Sequence, residues 1–254
     1  KLQQVKQGLL HDLLTRGIDE NGQLRPPYEQ APELYKASPL GWIPKGWEVQ
    51  QLGELTALIT SGSRGWAAYY AEEGPLFLRS QNIRMGRIDL SDRQCVNPPV
   101  DKEGQRTRVE PLDLLVTITG NGVGNLTYLS GDWSETAFVS QHVALVRFVH
   151  TGLAKLVNHY LVLGGPGRRQ IVDAQYGQSK PGLNLDSLKD VCIPNPPSTE
   201  RDEIVAKIDT IDARVDNEVS SVEELRSVKS GLMDDLLTGR VRVTELIEQE
   251  QQAS

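Results

Sequence analysis

Hydrophobic positions recur most regularly at the C-terminal end of the chain. Ile204, Ile208, Ile211, Val215, Val222, Leu225, Leu232 and Leu236 follow one another at spacings of 4, 3, 4, 7, 3, 7 and 4, the seam of a helix that packs against another helix. Pro194, Pro196 and Pro197 break whatever precedes it. Ser198 and Thr199, followed by Glu200, Asp202 and Glu203, supply hydroxyl caps and negative charge at its start. The pattern predicts one helix over residues 198–239, about 60 Å long at roughly 1.5 Å per residue, and too long for a core of this size to cover. Glu218 and Lys229 interrupt the seam, where polar groups set register and partner more than they stabilise.

The same pattern occurs at the other end of the chain. Leu2 to Thr15 aligns without gaps to Leu225 to Thr238, matching at 9 of 14 positions, an internal repeat. Residues 1–18 therefore read as the end of a helix like the one that closes the chain. With Lys1 in place of Met, the expectation is a piece of a longer, duplicated or processed protein. Residues 19–46 contain Asn21-Gly22 and prolines at 26, 27, 32, 39 and 44 and read as an extended, turn-rich linker.

From 47 to 197 the pattern changes to short β-like runs between Gly, Pro and Asn turns: Leu76 to Ile83, Asp113 to Thr119, Asn125 to Leu129 and Val143 to Val149. Asp113 to Leu129 reads as a hairpin around Gly120-Asn121-Gly122. Leu153, Leu156, Val157, Tyr160 and Leu161 predict one amphipathic helix, capped by Thr151 and ended by Gly164-Gly165. The expected fold class is α+β: a globular mixed body, a long coiled-coil-type helix, and a tail at 240–254.

Composition narrows the chemistry. With 254 residues, 38% hydrophobic and 24% charged, the chain is a soluble folded protein. No apolar run approaches the roughly 18 residues of a membrane span, and the N-terminus lacks a signal-peptide layout, so the expected address is cytoplasmic. Cys95 and Cys192 are too few for a disulfide framework, and His11, His142, His150 and His159 show no HExxH spacing. No metal site is expected. The net charge of −7 argues against a phosphate-binding surface only until it is mapped. From Ser198 onward there are 14 acidic and 7 basic residues, leaving 20 of each upstream. The body is neutral, with basic clusters at Arg79, Arg84, Arg87 and Arg93, and at Arg147, Lys155, Arg168, Arg169 and Lys180.

Several segments carry candidate chemistry. Ser61-Gly62-Ser63-Arg64-Gly65-Trp66 with Tyr69 and Tyr70 combines small donors, an arginine and aromatics, suited either to phosphate and base contacts or to a solvated loop folded onto the core. Arg79-Ser80-Gln81-Asn82 ends an apolar strand in polar side chains. Arginine can contact guanine bidentately, and Gln or Asn adenine; an ordinary strand-end network is the alternative. Gln141-His142 belongs to the same class. Gly120-Asn121-Gly122-Val123-Gly124 reads as a hairpin turn that can still present Asn121 to a base. Asn97-Pro98-Pro99-Val100 and Asn195-Pro196-Pro197-Ser198 resemble the Asn-Pro-Pro-aromatic motif of adenine-N6 methyltransferases. Neither copy has the aromatic, and no FxGxG cofactor loop occurs.

Taken together, Lys6 to Gly17 (KQGLLHDLLTRG), Gly41 to Trp47 (GWIPKGW), Phe77 to Ile83 (FLRSQNI), Asp113 to Gly120 (DLLVTITG), Ser140 to Leu145 (SQHVAL), and Lys180 to Pro197 with the following helix resemble the specificity subunit of type I restriction-modification enzymes. The resemblance spans nearly the whole chain in order. It implies two target recognition domains per subunit, each followed by a conserved helix and each reading half of a split site in double-stranded DNA. The helices pack antiparallel and dock methyltransferase subunits, which carry S-adenosylmethionine and the chemistry. A restriction subunit and ATP belong to the partners, and this chain is expected to hold no cofactor. By this resemblance 1–18 is the end of the central helix, 47–197 the second recognition domain and 198–239 the distal helix. A complete subunit has a further recognition domain before Lys1, and Arg201 stands where the family commonly has Gln. Alone, the chain is expected to form an antiparallel homodimer.

The expected DNA-contacting residues are Ser61, Ser63, Arg64, Arg79, Ser80, Gln81, Asn82, Thr119, Asn121, Gln141 and His142, with Arg168 and Lys180 on phosphates. The leading reading is a non-catalytic DNA-recognition component. The alternatives are an adenine-N6 methyltransferase fragment, which would need a cofactor loop, and a coiled-coil interaction module indifferent to DNA.

Overall fold

The computed structural model describes residues 2–177 and 181–240. Gln7–Ala206 form one compact unit, and the remaining described residues a second. The chain begins with helix α1 (Leu2–Thr15), then a short hairpin of β1 (Tyr35–Ser38) and β2 (Gly41–Pro44). β3 (Glu48–Gln51), β4 (Thr56–Ser61), β5 (Tyr70–Leu78), β6 (Ile83–Arg84), β7 (Arg87–Ile88) and β8 (Cys95–Val96) follow, then α2 (Lys102–Thr107). Next come β9 (Leu114–Thr117), β10 (Leu126–Tyr128), β11 (Ala137–Val139) and β12 (Val143–Phe148). Helices α3 (Gly152–Val162), α4 (Pro166–Asp173) and α5 (Leu185–Lys189), strand β13 (Cys192–Asn195) and α6 (Ser198–Leu237) complete the chain.

The body is built on an antiparallel sheet of order β10-β9-β12-β4. All four residues of β9 and five of six in β12 are buried, so these strands read as continuous apolar runs and not as alternating ones. Leu115, Val143 and Leu145 face a core with Leu76, Leu78, Ile83, Val109, Leu129 and Val139. The alternate set, Leu114, Val116, Ala144 and Val146, is equally buried, and α3 lies against β10 and β12. A second sheet, β11-β5-β8, pairs β11 with β5 in parallel. Asp113, at 1% exposure, ties the start of β9 to β12 by accepting from Arg147 Nε (2.9 Å) and Nη2 (2.8 Å), and accepts from the Glu110 amide (2.7 Å). Burial pushes its carboxyl up, and Arg147 opposes that.

The expected hairpin, helices and three of the four expected strands form within a few residues of the predicted limits; the strand expected over 76–83 instead runs Tyr70–Leu78, and 79–82 turn away from it before the short β6. Two further details differ. Thr151 does not cap α3: its φ of −59° and ψ of −31° are already helical, so its hydroxyl accepts no bond from the first turn. The helix stops at Val162, before the glycine pair, because Leu163 is extended (ψ 144°). Residues 19–46 form more than an extended connection. Tyr28 stacks on Trp42 at 4.2 Å, and Ala31, Tyr35 and Ile43 are buried.

One carboxylate ties the start of α6 to the N-terminal segment. Glu200 accepts from Arg25 through both oxygens (2.5 and 2.9 Å), from the Ile18 amide (3.1 Å) and from Trp47 Nε1 (3.0 Å). Gly17, at φ +63°, turns the chain there, and a Cβ on it would collide with Glu200 Oε1, Arg25 and Trp47. Leu10, Leu13, Leu14, Ile18 and Trp47 are all at most 4% exposed around this point.

In the second unit, Lys6 pairs with Asp212 at 2.6 Å. Ile208 and Val215 are buried, but from Val219 onward the apolar stripe is open: Val222, Leu225, Leu232, Met233 and Leu236 are between 41% and 68% exposed. No helix among the described residues is long and apolar enough to cross a membrane.

Glu200→Ala removes the partner of a partly buried guanidinium and of two other donors, and is expected to cost about 1 to 3 kcal/mol of stability. Gly17→Ala should also destabilise, through its φ and the collision. Urea denaturation measures both. Losses under about 0.5 kcal/mol, the scatter of ordinary surface substitutions, would show that the cluster is not the anchor described here.

Candidate functional site

The segment 79–82 leaves β5 in a tight turn held from within. Asn82 is 2% exposed and its amide is fully used: Oδ1 accepts from the Arg79 amide (2.9 Å), and Nδ2 donates to the Asp89 and Asp92 carbonyls (both 2.9 Å). Asn82 therefore builds the loop and has no polar atom left for a base. Arg79 Nη2 reaches the Asp92 carbonyl (3.1 Å) and its Oδ1 (3.0 Å), and Gln81 Nε2 donates to Asp92 Oδ2 (3.0 Å). The bonds from Gln81 and Arg79 hold the Asp92 carboxyl below its usual range. Beside it, Asp89 accepts from the Ser91 hydroxyl (2.6 Å) and amide (3.1 Å), which lower its pKa to about 2.

The second wall comes from the end of β4. Arg106 on α2 donates to the Thr60 hydroxyl, to the Ser61 carbonyl (2.5 Å) and to Ser63 Oγ (2.8 Å). Ser61 and Ser63 are thus set by an arginine that the sequence did not single out, while Arg64 stands exposed at the rim.

The third contribution is the turn between β11 and β12. His142 Nδ1 lies 2.7 Å from Thr119 Oγ1, and Gln141 Nε2 lies 3.0 Å from His142 Nε2. The adjoining hairpin turn has Gly120, Gly122 and Gly124 at φ of 87°, 79° and 81°, and Asn121 is exposed at its tip. Arg168 Nη1 donates to the Gly124 carbonyl at 2.5 Å, and burial lowers its pKa. Arg168 fastens α4 to this turn. Lys180 lies outside the described residues.

These walls enclose a cleft of about 300 Å³ lined by Ser63, Arg79, Ser80, Gln81, Gln141 and His142, with Trp66, Tyr70 and Phe77 as its apolar side. Six of the residues expected from sequence therefore converge on one place, from segments up to 79 positions apart (Ser63 to His142). Thr119 joins through His142, and Asn82 stands behind. Asn121 and Arg168 belong to the neighbouring hairpin turn. Neither Asn-Pro-Pro copy lines the cleft. Asn195 is held at both ends of its amide, by Gln50 (2.5 Å) and Arg201 (3.4 Å).

The arginine clusters carry less free charge than their sequence suggests. Arg79, Arg84, Arg93 and Arg147 each pair with a carboxylate, at Asp92, Asp89, Glu135 and Asp113 respectively. Arg64, Arg87 and Arg169 are exposed and make no ion pair among the described residues.

No protein-family model matches the chain. Over 247 residues it is 23% identical to the type I restriction enzyme MjaVIII specificity subunit of Methanocaldococcus jannaschii, covering 96% of this chain and 55% of that protein. The chain resembles type I specificity subunits. The type I restriction enzyme EcoKI specificity subunit of Escherichia coli K12 is 22% identical over 214 residues, covering 79% of this chain and 44% of that protein. The fold matches the crystal structure of the HsdS subunit from Thermoanaerobacter tengcongensis with a TM-score of 0.54 at 20% identity, over 92% of this chain and 50% of that one. The chain spans about half the length of the curated specificity subunits it matches.

Because Asp89 is held by Ser91 in the folded loop, its carboxyl should titrate near pH 2 in a carbon-detected NMR experiment, against roughly 3.9 for a free Asp. A depressed pKa adds stability above the unfolded value and loses it as pH falls through the folded one. The loop should therefore loosen only below about pH 4. A midpoint near 3.9 would mean that the Ser91 bonds do not form in solution.

Proposed function

We propose that the chain is a non-catalytic DNA-recognition component of a type I restriction-modification system, reading one half of a bipartite site. The observation that carries this reading is the convergence of Ser63, Arg79, Ser80, Gln81, Gln141 and His142 on one cleft, in a chain similar along 96% of its length to a specificity subunit. Ser61, Thr119 and Asn82 hold this surface. Arg64, with Asn121 at the hairpin tip, meets DNA at its rim. Arg168 and Lys180 serve the phosphate backbone, Arg168 through its grip on the hairpin turn. Phosphates set register and bases set sequence. The acidic helix α6 stays off the DNA and docks methyltransferase subunits, which bring S-adenosylmethionine; ATP belongs to the restriction subunit.

On this reading the chain performs no chemistry. With duplex DNA and labelled S-adenosylmethionine, the purified chain alone should transfer no methyl group. With modification subunits, methylation should appear at a defined sequence. Turnover by the chain alone would favour the methyltransferase reading. Methylation that ignores the chain, together with no binding to duplex at low salt, would favour a coiled-coil module.

The open stripe of α6 takes another helix of the same kind, supplied by a second copy when the chain stands alone. In the repeat, Leu10, Leu13 and Leu14 correspond to Met233, Leu236 and Leu237. The first three are 2% to 4% exposed and the last three 41% to 80%, so identical chemistry is covered at one end and bare at the other. Sedimentation at tens of micromolar should show a dimer, and Leu225→Glu with Leu232→Glu a monomer. A monodisperse wild-type monomer would overturn the pairing.

A further inference from the structure

We propose that Gln81 reads an adenine edge and that Asp92, which touches no DNA itself, is the positioning residue that fixes what Gln81 presents. The inference rests on the DNA-recognition reading above. Among the cleft side chains, Gln81 has its orientation settled by chemistry. Its Nε2 donates to Asp92 Oδ2 at 3.0 Å, and an ionised carboxylate only accepts. The amide nitrogen must therefore face Asp92. Reversing the amide would set two acceptors against each other. Gln81 is left with Oε1 and its second N–H, an acceptor beside a donor, the complement of adenine N6–H and N7 in the major groove. Guanine offers two acceptors there, N7 and O6, and would meet Oε1 with O6.

Asp92, whose side chain is 65% exposed, is held from several sides. Its carbonyl accepts from Arg79 Nη2 (3.1 Å) and Asn82 Nδ2 (2.9 Å), and its Oδ1 pairs with Arg79 (3.0 Å). The carboxylate thus divides its two oxygens between Arg79 and Gln81. The same arrangement reassigns Arg79. Its Nη2 is committed to Asp92, and its Nε is shut away from solvent without a partner. A bidentate grip on guanine is no longer open to it, and it acts as the cation that keeps Asp92 in place.

This division makes an isosteric substitution diagnostic. In Asp92→Asn the introduced amide must turn its oxygen to Arg79, because a guanidinium only donates. Its nitrogen then faces Gln81, which must reverse and offer its own N–H groups to the DNA. The preference at one base pair should move from adenine towards guanine, although the altered residue makes no base contact.

The test uses the complete protein carrying this sequence, reconstituted with its modification subunits. Methylation is scored on a library of single-base-pair site variants, with thermal melting of each variant as a fold control. Wild type should prefer A·T at one position, and Gln81→Ala should lower that preference by roughly 5- to 150-fold there and nowhere else. 7-Deazaadenine at that position should weaken wild type but leave Gln81→Ala unchanged. Asp92→Asn should favour G·C at the same position. If wild type methylates a defined sequence while Gln81→Ala leaves every position unchanged, or Asp92→Asn weakens all sequences alike, this assignment is wrong and the DNA-recognition reading stands. If the wild-type complex shows no sequence preference at all, both fall.

Discussion

The Glu200 carboxylate holds together parts of the chain that lie 153 to 182 positions from it. Its two oxygens receive a guanidinium, an indole N–H and a backbone amide, all at the first turn of α6. A carboxylate so placed needs every one of those donors, because a buried charge without partners costs several kcal/mol. The turn at Gly17 must therefore close, Trp47 must enter at its particular angle, and Arg25 must lie across both. Each of these constraints delivers something downstream: Trp47 leads into β3, β3 pairs with β13, and β13 runs into α6. The body is closed on itself at the point where its long helix departs.

What the sequence made legible follows from the range over which the physics acts. The hairpin around Gly120 to Gly122, the buried strands of the central sheet, α3 and the whole of α6 announce themselves through local periodicity and turn chemistry. The sequence from 19 to 46 reads as a linker because its prolines hide a hairpin only four residues to a strand. The groups that set the site were not legible. Arg106 and Asp92 look like ordinary surface charges, and nothing in their neighbourhood marks them. Their roles arise from distances of 43 to 46 positions for Arg106 and of 10 to 13 for Asp92, visible only once the strands are in place. Glu200 showed its charge at a helix start, which is correct, but its partners are nonlocal.

Electrostatics qualifies the sequence reading in a second way. Counting arginines in the body suggests a positive surface, yet four of them are matched to carboxylates. An arginine spent on Asp113 or Asp92 contributes order instead of phosphate attraction. Arg64, Arg87 and Arg169 are exposed and stand outside those pairs. Selectivity in such an interface depends more on the geometry of fixed donors and acceptors than on charge.

The internal repeat brings the two ends of the chain under one argument. Two segments of nearly the same sequence behave alike in isolation, so a difference in burial between them reports on surroundings and not on propensity. At α1 the leucines are covered by the body that follows them; at the end of α6 their counterparts meet water. Exposure of several leucines along one stripe is an association surface in waiting, and the covered copy shows what kind of cover it accepts: apolar side chains around a helix end closed by a left-handed glycine. Gly17 supplies that glycine at one end, with φ +63°, and Gly239 at the other, with φ +71°. The end of α6 therefore repeats both the apolar positions and the left-handed glycine that are buried and closed at α1.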